Sequence, residues 1–319
     1  MGAALTDVAR MSRTNDSGIV EWLLHESDPA IRWQVMSDLA SGRPEEIDRE
    51  RSNIAHQGWG RQLLAAQDDS GTWGGALYSP KWTSTTYTLL LLQRLGLPAR
   101  NEQALLGCRQ LWAGARFHGD GLTFAKSVPV AEPCMTGMVV SLSSYFGYGD
   151  DRLDATVRWL LDQQLDDGGW NCQTLRTGSR HGSFHTSITV LESLLAYQSN
   201  GGPVPVVDAL GGGRDFFLRH RLFKSHRTGD VVDRAFTRFP FPPQWHFDVV
   251  RGLEFFRLSG AEPDDRLSDA VAVIGAARCP DGTWRRHRPY PGRQWMTMES
   301  KGPSKWSTLR CLRVLQWWD

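Results

Sequence analysis

The chain has 319 residues, 40% of them hydrophobic and 22% charged, so a packed globular core is expected and wholesale disorder is excluded. The formal net charge of +1 gives no electrostatic reason to expect nucleic acid or an anionic membrane as a partner. The sequence shows no signal-peptide core and no membrane span, and its five cysteines have no framework spacing, which together predict a cytoplasmic protein with reduced thiols.

Two kinds of helical segment alternate along the chain. Six amphipathic segments, with apolar residues at three- and four-residue intervals, are predicted outer helices at residues 18–26, 60–67, 102–113, 154–164, 213–223 and 269–278. Six richer apolar runs are predicted inner helices that begin near Ala30, Trp82, Cys134, Phe184, Trp245 and Lys305. Successive runs start roughly 50 to 60 residues apart, the length of one helical hairpin with its connections. The pattern predicts an N-terminal tail (1–17) and a single all-α domain (18–319).

A short phrase with glycine and a final tryptophan recurs between outer and inner helices. It reads QDDSGTW at residues 67–73, QLDDGGW at 164–170 and RCPDGTW at 278–284. Gly168 and Gly282 can adopt the positive φ that ends a helix, while the polar side chains bond backbone groups there and the indole packs over the joint. The phrase is therefore predicted to be structural.

This phrase, followed by an inner helix bearing Ser or Thr, resembles the QxxDGxW repeat of squalene and oxidosqualene cyclases and of protein prenyltransferase β-subunits. Residues 164–170 match it fully, 278–284 with Arg for Gln, and 67–73 with Ser for Asp. The resemblance covers residues 18–318. It implies an α/α toroid of six hairpins, in inner and outer rings, with an apolar cavity at the N-terminal ends of the inner helices and an isoprenoid-type ligand.

The acid motif of the protonation-driven cyclases, DxDD at the start of an inner helix, is not matched. In the best-aligned segment, 132–137 (EPCMTG), Glu132 stands where the first Asp would, and the other acidic residues are missing. Glu132 is a candidate proton donor, because apolar surroundings would raise its pKa. His185 and His246 are stronger acid/base candidates, because imidazole titrates near neutral pH.

Cationic and aromatic residues gather at the predicted starts of the inner helices, which a ring would point at one cavity. Lysine and arginine near helix N-termini suit an anionic diphosphate, and indole faces suit an isoprenoid chain or a carbocation. The candidate substrate-binding residues are Arg32, Trp33, Lys81, Trp82, His181, Trp245, Lys305 and Trp306.

The candidate catalytic residues are Glu132, Cys134, His185, His246 and Asp248. The last four also have the side-chain types of a three-ligand open zinc site. The resemblance to protein prenyltransferases implies such a zinc ion, held by Asp-x-Cys and a histidine, although that pattern is not matched residue by residue. A divalent metal, zinc or magnesium, therefore remains open as a cofactor.

The sequence thus predicts an enzyme of the terpenoid cyclase, isomerase or prenyl-transfer type that acts on a small hydrophobic substrate, with or without a diphosphate, in a central cavity. Two alternatives stay open: a metal-dependent enzyme of the same fold with Cys, His and Asp ligands, and a non-catalytic isoprenoid carrier that lacks the DxDD acid. Neither a nucleic-acid partner nor a transmembrane segment is expected. The Gly/Pro-rich loop at residues 287–303 is predicted to fold over the mouth of the cavity.

Overall fold

The computed structural model describes residues 17–25 and 27–319, and these are mostly helical, as predicted. The α-helices are α1 (17–24), α2 (Pro29–Asp38), α3 (Pro44–Ser52), α4 (Gly58–Ala65), α5 (Thr85–Leu95), α6 (Glu102–Gly114), α7 (Pro133–Phe146), α8 (Leu153–Asp162), α9 (Thr174–Thr177), α10 (Phe184–Ser199), α11 (Val207–Arg219), α12 (Val249–Leu258), α13 (Ser268–Ala276) and α14 (Lys305–Trp318). Within the described residues, no helix is both long and apolar enough to cross a membrane.

Strand structure in this part of the chain is confined to one antiparallel hairpin. Strand β1 (Arg116–His118) pairs with β2 (Gly121–Thr123), and Gly119 at the turn has a φ of 62°. Helices α1, α4, α6, α8, α11 and α13 overlap the six predicted amphipathic segments, with the largest offset at α11, which begins six residues earlier than predicted. Helix α3 was not predicted, because its sequence PEEIDRERS contains a single apolar residue and therefore shows no periodicity.

Four predicted inner helices, α2, α7, α10 and α14, begin within one residue of the predicted position. The other two begin later, because α5 starts three residues after Trp82 and α12 starts four residues after Trp245. At α12, Asp248 is the cap, since its Oδ1 accepts a hydrogen bond from Arg251 N at 2.9 Å. At α5 the extended residue Ser84 takes the cap position. Trp82 and Trp245 therefore lie in loops that approach these two helices.

Contacts between these six helices run from neighbour to neighbour. Helix α5 contacts α7, α7 contacts α10, α10 contacts α12, α12 contacts α14, and α14 contacts α2. Two hydrogen bonds join α2 to α5: Trp33 Nε1 donates to Leu95 O at 2.9 Å, and Gln34 Nε2 donates to Arg94 O at 3.3 Å. Helices α7 and α10 are buried on most sides, as expected for helices covered by neighbours on several faces.

The three phrase tryptophans make the same contacts in three places, and all three are fully buried. Each indole N–H donates to the carbonyl ten residues upstream, at 2.6 to 2.9 Å. Each backbone N–H donates to a hydroxyl near the start of the next inner helix, at 2.8 to 3.0 Å. The triplets of tryptophan, carbonyl and hydroxyl residues are Trp73, Leu63, Thr85; Trp170, Leu160, Ser187; and Trp284, Ile274, Thr308. Each tryptophan therefore ties an amphipathic helix (α4, α8 or α13) to the predicted inner helix that comes next in the chain (α5, α10 or α14).

The glycine of the phrase adopts the positive φ that the sequence suggested, 85° at both Gly168 and Gly282. In the first case, Gln164 Nε2 donates to the carbonyl of Gly168 at 2.8 Å. In the second, Arg278 Nε donates to the carbonyl of Gly282 at 3.1 Å. Arginine can replace glutamine at the start of the phrase because both side chains supply this N–H donor.

Candidate functional site

The loop at residues 287–303 lies across the start of α5. Trp82 N donates to Arg293 O at 3.0 Å, and Arg293 N donates to Lys81 O at 3.1 Å. Farther along the loop, Trp295 Nε1 donates at 2.9 Å to a threonine hydroxyl one turn into α5. Two main-chain hydrogen bonds and one indole hydrogen bond therefore hold this loop against α5 and the residues just before it.

A cleft lies between this loop and residues 241–244. It encloses about 670 Å³, part of which is continuous with bulk solvent. Its walls are mixed: apolar aromatic, aliphatic, proline and thioether side chains make up about half of the lining, and hydroxyl, amide, imidazole and charged side chains make up the rest. The lining includes Trp82, Leu91, Phe241, Trp295, Ser304 and Ser307.

Next to the cleft is an aromatic cluster, composed of Trp82, His185, Trp245, His246 and Tyr290. His246 is stacked between Trp245 and Tyr290, with ring centroids 3.9 and 3.5 Å away and interplanar angles of 23° and 7°. The centroids of Trp82 and His185 are each 5.9 Å from that of His246. The structure thus brings together four of the predicted site residues and adds Tyr290, which comes from the 287–303 loop.

Lys81 joins this cluster through its ammonium group. Its Nζ lies 5.2 Å from the ring centroid of Trp245 and 5.6 Å from that of Trp82. A third ring, Tyr78, is 5.8 Å away. These are cation–π distances, and they place the charge at the aromatic faces rather than free in solvent.

Both histidines of the cluster are uncharged near neutral pH. Burial lowers the pKa of His185 to about 4, and the nearby Arg251 guanidinium adds to the effect. Burial also lowers the pKa of His246 to about 4, with a further contribution from His185. The sequence-based expectation of imidazoles that titrate near neutrality is therefore wrong. At pH 7 neither ring is an imidazolium that could act as an acid. His185 Nδ1 already accepts a hydrogen bond from Phe247 N at 2.8 Å, so His246 is the ring of the two that can accept a proton.

We expect the lowered pKa of His185 to make stability depend on pH. Between pH 6.5, the ordinary histidine value, and about 4, the unfolded chain binds a proton at this residue that the folded chain excludes. The contribution of His185 to the free energy of unfolding should therefore fall as the pH falls through this window. The slope should not exceed about 1.4 kcal/mol per pH unit.

Urea unfolding of the wild type and His185→Asn at several pH values measures this effect. The asparagine Oδ1 can accept the hydrogen bond that Phe247 N donates to His185 Nδ1 at 2.8 Å. The stability difference between the two proteins should shift against the wild type below pH 6.5. A difference that stays constant down to pH 4 would contradict the lowered pKa.

Asp248 lies two residues beyond His246 and is fully buried. Its Oδ1 caps α12, while its Oδ2 has no hydrogen-bond partner in the part of the chain that the structure describes. Burial raises the pKa of this carboxyl. Burial, followed by the charge of Asp248, raises the pKa of Tyr290 to about 12.

Asp248 belongs to a connected network of charged side chains on α2, α5, α10, α12 and α14. Five guanidinium groups alternate with four carboxyl groups. The nitrogen and oxygen atoms of successive members are 2.7 to 3.8 Å apart. Asp248 and Arg251 are joined through the backbone N–H of Arg251 instead of its guanidinium group. In order, this ion-pair network consists of Arg94, Glu192, Arg251, Asp248, Arg310, Glu254, Arg313, Asp38 and Arg257. The interior beside the cleft is therefore strongly polar, whereas the resemblance implied an apolar cavity.

Glu132 and Cys134 lie at the start of α7, outside the aromatic cluster. Glu132 Oε2 accepts a hydrogen bond from Thr123 Oγ1 at 3.0 Å, and its Oε1 is 3.7 Å from Arg176. Cys134 N donates to Cys172 Sγ at 3.4 Å. The hydrogen bond with the Cys172 thiol, together with burial, raises the pKa of Cys134, which keeps this side chain a protonated thiol near neutral pH.

Three predicted substrate-binding residues make structural contacts instead. Arg32 forms an ion pair with Glu50 at 2.5 Å, which joins α2 to α3. Trp33 donates its indole hydrogen bond to α5. Lys305 Nζ donates to Ser27 Oγ at 2.6 Å, which holds the start of α14 against the segment before α2. These contacts do not bring the three side chains to the aromatic cluster.

The remaining two predicted residues differ in burial. His181 is exposed in the loop before α10. Trp306 is 1% exposed and stacks on Phe241 with centroids 3.9 Å apart and an angle of 10°. Because Phe241 lines the cleft, Trp306 supports its wall from behind.

The predicted metal ligands are not assembled. Among residues 17–25 and 27–319, no three or more His, Cys, Asp or Glu side chains form a group that could hold a metal ion. Of the four candidates, Cys134 contacts Cys172, His185 accepts a backbone hydrogen bond, His246 is stacked between rings, and Asp248 caps a helix. The spacing between hairpins could not reveal this, because it fixes which helices are neighbours and leaves side-chain direction open.

Sequence reasoning missed Tyr290 and Trp295, because an aperiodic loop gives no signal of where its side chains fold. It also missed most of the ion-pair network. A signal for the network was present: Arg94, Glu192 and Arg310 interrupt runs that are otherwise apolar or hydroxyl-bearing. Charges within a helix covered on several sides indicate paired groups inside the protein.

No protein-family description and no curated protein matches the chain. Among solved structures, a protein from Actinoplanes is 18% identical, with a TM-score of 0.46, over 91% of this chain and 90% of that one. The apo type II terpene cyclase MstE from Scytonema is 16% identical, with a TM-score of 0.44, over 90% of this chain and 87% of that one. At these values neither similarity indicates what this chain does.

Proposed function

We propose that the chain is an α/α toroid of six hairpins and an enzyme of the terpenoid cyclase type, acting on an isoprenoid-type substrate beneath the 287–303 loop. The neighbour-to-neighbour contacts from α5 through α14 to α2, closed by the hydrogen bonds of Trp33 and Gln34, support the toroid. The aromatic and thioether walls of the cleft suit a polyunsaturated hydrocarbon chain.

The observation that carries the proposed chemistry is the pair Asp248 and His246. Burial raises the pKa of the carboxyl and lowers that of the imidazole, so the two shifts run in opposite directions. Opposite shifts in two groups of one site are a pattern of acid–base catalysis, and these two residues are two positions apart in the chain. Asp248 would protonate a carbon–carbon double bond, and His246 would remove a proton after rearrangement.

In this reaction the aromatic cluster has a second role. A carbocation formed by protonation would be stabilised by the face of an aromatic ring. The faces of Trp82 and Trp245 hold the Lys81 ammonium, and His246 lies between Trp245 and Tyr290, so these side chains would move aside when a substrate binds. Because Tyr290 covers one face of His246, the 287–303 loop would shift to admit a substrate to this site. The proton gained at one carbon is lost from another, so the product is an isomer of the substrate.

The test is product analysis after incubation with polyprenyl alcohols, polyprenyl diphosphates and squalene. We expect an isomer of one substrate from the wild type, detected by gas chromatography and mass spectrometry. Asp248→Asn should lower its rate of formation by about a hundredfold or more, the scale of general acid catalysis. The matched control is Asp264→Asn, at an exposed carboxyl paired with Arg266, which should retain the wild-type rate.

A non-catalytic carrier is the second candidate, and one observation favours it. Where the protonation-driven cyclases carry DxDD, this chain has Glu132 followed by Pro133, Cys134 and Met135, and Glu132 is engaged by Thr123. A carrier would bind polyprenyl compounds tightly and return them unchanged. Product formation that is equal in Asp248→Asn and the wild type would also contradict the proposed acid.

A further inference from the structure

Two arginines of the ion-pair network lie one helical turn beyond residues that line the cleft. On α14, Arg310 follows the cleft-lining Ser307 by three residues, and on α5, Arg94 follows the cleft-lining Leu91 by three. Residues three apart share a helix face. These two guanidinium groups therefore lie one turn deeper than the side chains that line the cleft.

Arg310 is 3% exposed, and its Nε donates to Glu254 Oε2 at 2.7 Å. Among the described residues, neither of its terminal nitrogens, Nη1 and Nη2, has a hydrogen-bond partner, although Nη2 is 3.8 Å from Asp248 Oδ1. The indole Nε1 of Trp306, one turn earlier on α14, is buried and likewise without a partner there. Buried donors are rarely left unpaired, so an oxygen of water or of a ligand must satisfy this group.

Charge favours an anion at this place. The ion-pair network contains five guanidinium groups and four carboxyl groups, which leaves one positive charge in excess. The paired terminal nitrogens of arginine fit two oxygens of a carboxylate or a phosphate. The side chains of Arg94 and Glu192 keep 21% and 28% exposure, so the network is not completely sealed from solvent.

We propose that Arg310 Nη1 and Nη2, with Trp306 Nε1, form a buried oxyanion site that takes the carboxylate or phosphate-monoester head of an amphipathic ligand, whose apolar tail fills the cleft. This inference rests on the proposed function and defines its substrate class. The head enters first, towards α14, and the tail points back to the 287–303 loop. Lys81, at the aromatic faces, then contacts the tail end of the ligand instead of its anion.

Calorimetric titration of the full chain with decanoate, decyl phosphate and decanol tests the proposal, because the three probes share one alkyl chain. We expect both anions to bind the wild type at least about tenfold more tightly than the alcohol, as charge-assisted bonds require. A preference for only one anion identifies the head group and still supports the site. Equal affinity for all three would overturn the proposal and assign the unpaired donors to water.

Arg310→Gln should abolish the preference for anions while leaving decanol affinity unchanged, and that unchanged affinity shows that the cleft is intact. Arg310→Lys keeps the charge, loses the two-pronged geometry and should retain only part of the preference. The matched control is Arg266→Gln, which removes a half-exposed arginine paired with Asp264 and should change nothing. Retention of the full preference in Arg310→Gln would overturn the proposal.

If Arg310→Gln does not fold, Trp306→Phe keeps an aromatic ring and removes only the N–H, and it should reduce the preference for anions about threefold. The two proposals fail separately. Anion preference without any product from polyprenyl substrates would refute the enzyme and leave the oxyanion site standing. Product formation without anion preference would refute the oxyanion site alone.

Discussion

Replacing Trp170 by alanine should lower the free energy of unfolding by about 3 to 5 kcal/mol, the range for large aromatic truncations in a core. Trp170 is fully buried, and its indole N–H donates to Leu160 O at 2.7 Å. The substitution therefore leaves a cavity and removes one of the two hydrogen bonds that Leu160 O accepts, the other coming from Gln163 N at 3.2 Å. Chemical denaturation followed by circular dichroism measures the loss.

Two variants serve as controls for this prediction. Trp170→Phe keeps most of the ring and loses the hydrogen bond, so its cost should be about half as large. Trp318→Ala, at a half-buried position at the end of α14, should cost about 1 kcal/mol. A Trp170→Ala protein that is as stable as the wild type and no longer binds polyprenyl ligands would show that this tryptophan has a functional role.

Replacing Glu254 by glutamine should cost about 3 to 5 kcal/mol, as breaking a buried ion pair does. Glu254 lies between Arg310 and Arg313, each 2.7 Å away, and its side chain is 13% exposed. Without its charge, Arg310 and Arg313 lie on either side of a neutral amide, and the carboxyl groups left to them are Asp248 at 3.8 Å and Asp38 at 3.2 Å. Thermal and urea unfolding at neutral pH should both register the loss.

The matched control is Asp264→Asn, which removes a similar charge from a surface pair with Arg266 and should change stability by about 0.5 kcal/mol or less. If the two variants were equally stable, water would have to enter the network freely. The guanidinium groups of Arg310 and Arg313 would then behave as surface charges.

The helical periodicity was sufficient to predict the elements that the hydrophobic pattern controls. Apolar spacing located six amphipathic helices. The recurring phrase located the turns that follow three of them, because Gly168 supplies a positive φ and Trp170 bonds a carbonyl only ten residues away. The start of α12 was misplaced for a local reason as well: Asp248 is a strong capping residue, and the apolar run before it, from Trp245, concealed the cap.

The site was less predictable because its properties arise from contacts between distant segments. Trp295 reaches a hydroxyl 207 residues away on α5, and no pattern around either residue encodes that encounter. The low pKa of His185 comes from burial and from Arg251, which belongs to another helix. Residue type alone predicted the ordinary pKa of a histidine, whereas burial in the fold lowers the pKa of His185 to about 4.

The contact of α2 with α14 has a consequence for the order in which the protein assembles. Arg313 bonds Gln34 and Asp38 across sequence separations of 279 and 275 residues, so this junction carries a larger loop-closure entropy than the turns between successive helices. During synthesis, α2 is made well before α14, so the contact between them cannot form until α14 is available. We therefore expect the junction to close late in folding and to open first in amide exchange under native conditions, while the tryptophan joints remain protected.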